Sequence, residues 1–120
     1  MNFLPIFRLL NADANVQAVL GSELRVYEDV APTGVTVPYV IWAEVGGSAE
    51  NDLDAPASVD HVMYQVMVYD TDRKRVYEVR DLVRTVLEQH SYILNPRISN
   101  YEPSTKLFVR GFDGNWFLDR

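Results

Sequence analysis

The side chains best suited to chemistry lie in one acidic segment and at its edge. Asp52, Asp54 and Asp60 precede His61, and carboxylate and imidazole groups are common metal ligands. Their spacing does not match the calcium-loop signature, and a segment without periodicity fixes no coordination geometry. We therefore expect no metal here and interpret His61 as the first residue of a strand.

Other catalytic patterns are equally weak. The second histidine, His90, falls at the end of a predicted helix, where a cation suits the helix dipole. The Gly-Gly-Ser at 46–48 lacks the strand–turn–helix setting of a hydrolase nucleophile, and Gly-Phe-Asp-Gly at 111–114 lacks the features of a phosphate loop. With no cysteine there is no thiolate chemistry, so we predict no enzyme activity and no cofactor.

Size and charge narrow the class of protein. A chain of 120 residues with 48% hydrophobic content predicts a single domain over 1–120. No run approaches the roughly 20 apolar residues of a membrane span, and the N-terminus lacks the basic region of a secretory signal. The net charge of −6 argues against general nucleic-acid binding. The absence of cysteine fits assembly in a reducing host cytoplasm.

The charge is unevenly distributed along the chain. Residues 1–60 carry a net charge of −7, whereas residues 61–120 carry +1. This is either scatter on a solvated surface or the sign of a bipolar subunit whose two faces meet in an assembly. The candidate basic surface is the second helix, with Arg73, Lys74, Arg75, Arg80 and Arg84. The alternatives for these cations are a solvated cluster or weak contact with passing DNA.

Apolar periodicity predicts two main helical regions. The first runs from about residue 4 to Gly21 and is interrupted near residues 11–13, where Asp13 is a suitable N-cap for a second short helix. The second runs from about Arg73 to His90, with Thr71 or Asp72 as its N-cap.

Strands occupy most of the remaining chain. We predict a short strand at 25–27, two long strands at 39–46 and 61–70, and C-terminal strands at 98–102 and 107–118. The last is either one strand with close approaches at its glycines or a hairpin turning at 113–114. The order of elements predicts an α+β fold: an antiparallel sheet of mostly four to five strands with two main helices on one face.

The segment at 47–60 is predicted to be a mobile loop, and loops of this length are usually functional or disordered. Its candidate contact residues are Gly47, Glu50, Asp52, Asp54 and Asp60.

Both faces of the long strands are apolar. One face of the second strand carries Val62 and its alternate neighbours, while the other carries Met63 and Met67, and we assign Trp42 to this second face. The helices cover one face only. Either a neighbouring subunit or the C-terminal strands must therefore cover the other.

The order of motifs resembles the tail-completion, or tail-terminator, proteins of long-tailed bacteriophages. A helix closes on a valine-and-glycine motif at 16–21, followed by Arg-Val-Tyr at 25–27, Ala-Pro-Thr-Gly at 31–34 and Pro-Tyr-Val-Ile-Trp at 38–42. The strand at 65–69, the helix at 76–87 and a Tyr-Glu segment leading to the strand at 108–112 complete the match. Trp42 replaces the more usual tyrosine, and Gly111 interrupts the last strand.

This resemblance implies a virion protein that caps the head-proximal end of the tail tube as a ring, usually of six subunits. Its partners would be other copies of itself, the tail tube protein and the head–tail connector, and DNA would pass through the lumen without specific binding. The alternatives are another neck component, such as a head-closure protein, or a small oligomeric ligand-binding α+β domain.

Overall fold

The computed structural model describes residues 3–51 and 55–120, and its five strands form a single sheet. The elements are α1 (Ile6–Asn11), α2 (Ala14–Leu20), β1 (Val26–Glu28), β2 (Tyr39–Glu50), β3 (Val59–Asp70), α3 (Arg73–Leu87), β4 (Tyr92–Glu102) and β5 (Leu107–Asp119). The strand order is β1-β2-β3-β5-β4, with β1 parallel to β2 and the other neighbours antiparallel. The predicted α+β fold is confirmed.

The helix boundaries follow the predicted capping residues. Asp13 separates α1 from α2, and its carboxylate accepts hydrogen bonds from two backbone N–H groups of α2 at 2.9 and 3.0 Å. Gly21 ends α2 with a φ of 92°, which favours glycine. Asp72 caps α3 in the same way, at 3.0 and 3.1 Å. Helix α3 ends at Leu87, three residues before the predicted end.

The core lies between the helices and one face of the sheet. The predicted valine stripe of α3 is buried, and it belongs to one apolar cluster with side chains from β2, β3 and β5. The core residues of this sheet face and of the stripe are Val40, Trp42, Tyr64, Val66, Val68, Phe112, Val76, Val79, Val83 and Val86. Burial of each such aliphatic or aromatic side chain stabilises the fold by about 1.5–3 kcal/mol.

The two long strands are longer than predicted. Strand β2 continues to Glu50 and β3 begins at Val59, so residues 47–50 and 59–60 are paired strand, and the connection shrinks to 51–58. The prediction of a loop over the whole of 47–60 is therefore wrong. A β-bulge lies between Glu44 and Gly46, and just beyond it Gly47 pairs with Val62. Cross-strand pairing here overrides the low strand propensity of Gly-Gly-Ser. Asp52 and Asp54 lie outside the described residues.

The C-terminal part is a pair of long antiparallel strands. Strand β4 begins at Tyr92, six residues before the predicted start, and β5 is one strand rather than a hairpin. Its glycines mark close approaches, as the single-strand alternative predicts. A Cβ on Gly111 would overlap the Val66 carbonyl oxygen, and one on Gly114 would overlap the Tyr64 ring.

The molecule is elongated, with extents of 52 × 28 × 25 Å. Two regions lie along the sheet, and each consists of three consecutive rungs of β2, β3 and β5. The central rungs are residues 40–42, 66–68 and 110–112, beneath the helices. The arm is residues 48–50, 59–61 and 117–119. Its three β2 residues are exposed, and its three β3 residues are partly exposed.

Candidate functional site

The sheet face opposite the helices, here called the open face, is mostly apolar, and its side chains are partly exposed except for the buried Val109. Strand alternation and register place on it Tyr39, Ile41, Ala43, Met63, Gln65, Met67, Tyr69, Ile98, Val109 and Asp113. Met63 is 38% exposed, and Met67 lies four residues further along the same strand. The prediction that these two methionines share a face away from the helices is confirmed. Strands β4 and β5 extend this face rather than folding across it, so the C-terminal strands do not cover it.

One end of the open face is bordered by the connection between β1 and β2. Residues of that connection line a cavity of about 430 Å³ together with Tyr39, Ile41 and the turn between β4 and β5. The rings of Tyr39 and Tyr69 stack there with centroids 5.0 Å apart. Burial raises the pKa of both phenols, and the nearby charge of Glu102 raises it further. This end of the open face therefore presents two stacked tyrosine rings beside the cavity.

Trp42 does not belong to the open face. It is 6% exposed and packs in the core with Val40 and Val66, because residues two apart in a strand point to the same side of the sheet. Assigning it to the second face was wrong. The tryptophan holds β2 against the helical layer, so it is not available to a partner in this conformation.

The predicted basic residues of α3 fall into four environments. Arg73 and Lys74 are exposed, and Lys74 approaches Glu78 at 4.0 Å. Arg75 donates two hydrogen bonds, of 2.6 and 2.7 Å, to the fully buried Asp70, and this contact raises the pKa of the guanidinium.

Arg80 and Arg84 occupy the remaining two environments. Arg80 is 3% exposed and contacts Asp81 at 3.1 Å, whereas Arg84 pairs with Glu88 at 3.2 Å. The predicted basic surface of α3 is thus reduced to its first turn, because Arg80 points inward.

The arm brings together Glu50 and Asp60 from the predicted loop, and Gly47 lies one residue before it. Glu50 Oε2 lies 2.7 Å from His61 Nε2 across the β2–β3 pair, and the His61 ring packs edge-on against Phe117 at 4.3 Å. A Cβ on Gly47 would overlap the His61 carbonyl oxygen, so glycine is required for this pairing. The arm therefore carries a glutamate–histidine contact and an aromatic contact, both partly exposed, on paired strands.

An acidic cluster lies at the β1–β2 edge of the sheet. It consists of Glu28, Asp29 and Glu44, all exposed. Partial burial raises the pKa of Glu28, and the charges of Asp29 and Glu44 raise it further. Within residues 3–51 and 55–120, none of the three carboxylates has an ion-pair partner within 4 Å.

An arginine cluster lies towards the opposite, β4–β5 edge. Arg110 and Arg80 sit over the Tyr77 ring, with guanidinium carbons 5.0 and 5.2 Å from its centroid. A hydrogen bond from Arg110 lowers the pKa of the Tyr77 hydroxyl, and the charges of Arg110, Arg80 and Arg97 lower it further. Sequence reasoning missed this cluster, because Arg97 and Arg110 meet Tyr77 only through the order of the strands.

The arrangement offers surfaces for binding other proteins. In the described part of the chain, no three histidine or acidic side chains are placed to hold a metal ion. No described helix is long and apolar enough to cross a membrane. What the geometry does provide is an apolar sheet face, a projecting arm and two edges of opposite charge, which are means of contacting other proteins.

Comparison with known proteins agrees with this description. No curated protein matches the sequence. A chain in the solved structure "Virion of native gene transfer agent (GTA) particle" has the same fold, with a TM-score of 0.74 and 14% identity over 96% of this chain and 92% of that chain. The family model for tail completion protein gp17 matches residues 5–117. The chain therefore belongs to the tail completion protein gp17 family and is a structural protein of a phage tail, located in the virion.

Proposed function

We propose that this protein caps the head-proximal end of the tail tube as a ring of identical subunits, six in the simplest case. The ring stops polymerisation of the tube and presents a surface to the head–tail connector. The observation that carries this proposal is the open face, which is mostly apolar and partly exposed in the subunit. A surface of this kind marks a site of protein contact.

The partners follow from the distribution of the surfaces. The open face, with Met63 and Met67, supplies apolar area to a neighbouring subunit or to the tube protein. The arm reaches beyond the helical layer, and its exposed Glu50 and Phe117 and half-buried Asp60 suit contact with the tube. Arg73 and Lys74, exposed at the first turn of α3, suit an acidic neighbour. The net negative charge of the chain favours passage of DNA through the lumen without binding.

The mechanism is steric and templated. A subunit layer that contacts the last tube ring on one side and offers a different surface on the other blocks addition of further tube protein. No covalent bond is made or broken in this step. Grooves on the described surface, of about 800 and 560 Å³, are open and lined by residues of mixed polarity. They do not resemble the enclosed apolar pocket that the ligand-binding alternative requires.

Electron microscopy of purified tail tubes, with and without the protein, tests the proposal. We expect a ring with an open channel at one end of each tube and an arrest of tube growth. Tubes that keep growing in the presence of excess protein, with no density added at either end, would refute it.

A pair of variants connects the outcome to the open face. Met63→Lys combined with Met67→Lys adds two charges to that face and should abolish capping, while changing the stability of the free subunit by about 1 kcal/mol or less. The matched control is Phe7→Lys, which adds a charge at an exposed aromatic residue of α1. Capping should survive this change. Equal loss of capping in both variants would remove the open face from the mechanism.

A further inference from the structure

The sheet carries unbalanced charge of opposite sign near its two edges. The acidic cluster of Glu28, Asp29 and Glu44 belongs to β1, β2 and the residue after β1, which form one end of the strand order. The arginine cluster of Arg80, Arg97 and Arg110 belongs to α3, β4 and β5, at the other end. Strands β2 and β3 lie between β1 and β5, and no ion pair within 4 Å joins the two clusters in the described part of the chain.

Each cluster is electrostatically unfavourable in the isolated chain. Three carboxylates without cationic partners repel one another, and this repulsion contributes to the perturbed titration of Glu28. On the other side, Arg80 is almost fully buried, and its ion-pair partner Asp81 is two-thirds exposed. A buried cation is costly unless it is well paired.

Arg110 also lacks a partner for one of its donor atoms. Its Nη1 donates to the carbonyl oxygens of Asn100 and Val109, each at 2.9 Å. Its Nε is buried and has no hydrogen-bond partner, the one such side-chain atom found among the described residues. Neither Arg110 nor Arg97 has a carboxylate within 4 Å in the described part of the chain. The Nε itself is closed to solvent, but a carboxylate from outside the subunit can pair with the remaining guanidinium groups of Arg97 and Arg110, which have no acidic partner in the described part of the chain.

We propose that the acidic cluster of one subunit docks onto the arginine cluster of the next copy of the same chain. This inference rests on the proposed ring and specifies its subunit contact. Charge complementarity selects a second copy as the occupant, because one chain carries both the excess carboxylates and the excess guanidinium groups. Arginine is suited to the role, since its planar donors match carboxylate geometry.

The geometry of this contact favours a closed ring. The two surfaces differ and lie at opposite ends of one sheet, so each subunit uses one to accept a neighbour and the other to dock on the next. A head-to-tail contact of this type closes into a ring when its rotation divides a full turn. Contact between two identical copies of either cluster would place like charges together and is disfavoured.

Complementary charge reversal tests the contact. One variant carries Glu28→Lys and Glu44→Lys, which makes both edges basic. The other carries Arg97→Glu and Arg110→Glu, which makes both edges acidic. Sedimentation velocity at low salt, with and without tail tubes, measures assembly. We expect each variant alone to assemble at least about tenfold less than the wild type, because every contact becomes repulsive.

Mixing the two variants in equal amounts should restore assembly with alternating subunits, since each contact then joins a basic edge to an acidic one. Two single reversals outside both clusters, Glu23→Lys and Arg8→Glu, are the matched controls and should assemble like the wild type. Because Arg110 also makes contacts within the fold, Arg97→Glu alone, at an exposed residue, provides a second test of the basic edge.

The outcomes separate this contact from the proposed function. Variants that assemble like the wild type, or a mixture that fails to recover, would overturn the contact even if tubes are still capped. Assemblies that follow the charge rule but do not cap tubes would overturn the capping function and leave the contact standing. A wild-type protein that stays monomeric with and without tubes would overturn both. Wild-type retention of duplex DNA that is lost in Arg97→Glu would overturn the second copy as the occupant, in favour of phosphate.

Discussion

The central rungs and the arm are built from the same three strands, with three rungs each, yet their environments differ. In the central rungs, alternate side chains such as Val40, Val66 and Phe112 are buried beneath the helices. In the arm, backbone pairing continues while Phe117 is 45% exposed and Glu50 faces solvent. Strand pairing is therefore independent of burial here. The central rungs stabilise the subunit, and the arm is left available for contact.

The largest expected difference concerns two phenylalanines of β5. Phe112→Ala should reduce the free energy of unfolding by about 3–5 kcal/mol, because it removes a fully buried ring from the core. Phe117→Ala should reduce it by about 1 kcal/mol or less, since its ring is half-exposed in the arm. Urea denaturation of both variants measures the two values. Similar losses would mean that the arm is part of the stabilising core.

The Arg75–Asp70 ion pair, next to the central rungs, should stabilise the fold more than the Glu50–His61 contact of the arm. Arg75→Ala leaves the buried carboxylate of Asp70 without its two guanidinium donors and should cost about 2 kcal/mol of stability. Glu50→Ala breaks the exposed pair with His61 and should cost between 0 and about 1 kcal/mol. Thermal unfolding at matched pH compares them, with Arg73→Ala as the exposed-arginine control. A larger loss from Glu50→Ala would reverse the order of the two regions.

Amide exchange should resolve the two regions without substitution. We expect amides of the arm to exchange at least about tenfold faster than those of the central rungs, because the arm can open without exposing the core. Binding to tail tubes should slow exchange in the arm and in the connection at 51–58, while leaving the central rungs unchanged. Hydrogen–deuterium exchange with mass spectrometry reports both. Slow exchange throughout the arm of the free subunit would contradict its independence.

The smallest expected effect concerns the N-cap of the helix that covers the central rungs. Two backbone N–H groups lower the pKa of Asp72, so its folded-state pKa lies below its unfolded value. Its stabilising contribution is therefore present above the unfolded pKa and is lost as the pH falls through the folded pKa. At neutral pH, Asp72→Ala should be less stable than the wild type, and the loss should be smaller than that of Arg75→Ala. In strong acid, Asp72→Ala and the wild type should be equally stable. A difference that persists in acid would assign the effect to something other than the carboxylate.

The part of the fold under the helices could be predicted from the sequence because local signals specify it. Asp13, Gly21 and Asp72 fix the helix ends through caps, and alternation in β3 separates Val66 from Met67. The arm could not be predicted in this way. Its Gly-Gly-Ser segment has low strand propensity and is paired only because residues 59–62 are opposite it.

The two charged clusters at the sheet edges could also not be predicted from local sequence patterns. Arg80 reads as one more surface cation of α3, and its burial depends on where Tyr77 and Arg110 lie in the folded chain. The clusters arise from strand order, which periodicity does not encode. The overall charge asymmetry between the two halves was visible in the sequence, whereas the residues that carry it to the two edges were not.

The β-bulge between Glu44 and Gly46 has a consequence for the life of the subunit before assembly. Strand β1 pairs with β2 over residues 40–42 only, and past that point the described chain places no strand on the outer edge of β2. An unpaired edge of this length can recruit other strands and seed aggregates. The bulge interrupts the regular repeat of backbone donors and acceptors, and Glu44 and Glu50 add charge beside it. The same irregularity that precedes the arm therefore disfavours pairing of this edge with strands of other copies.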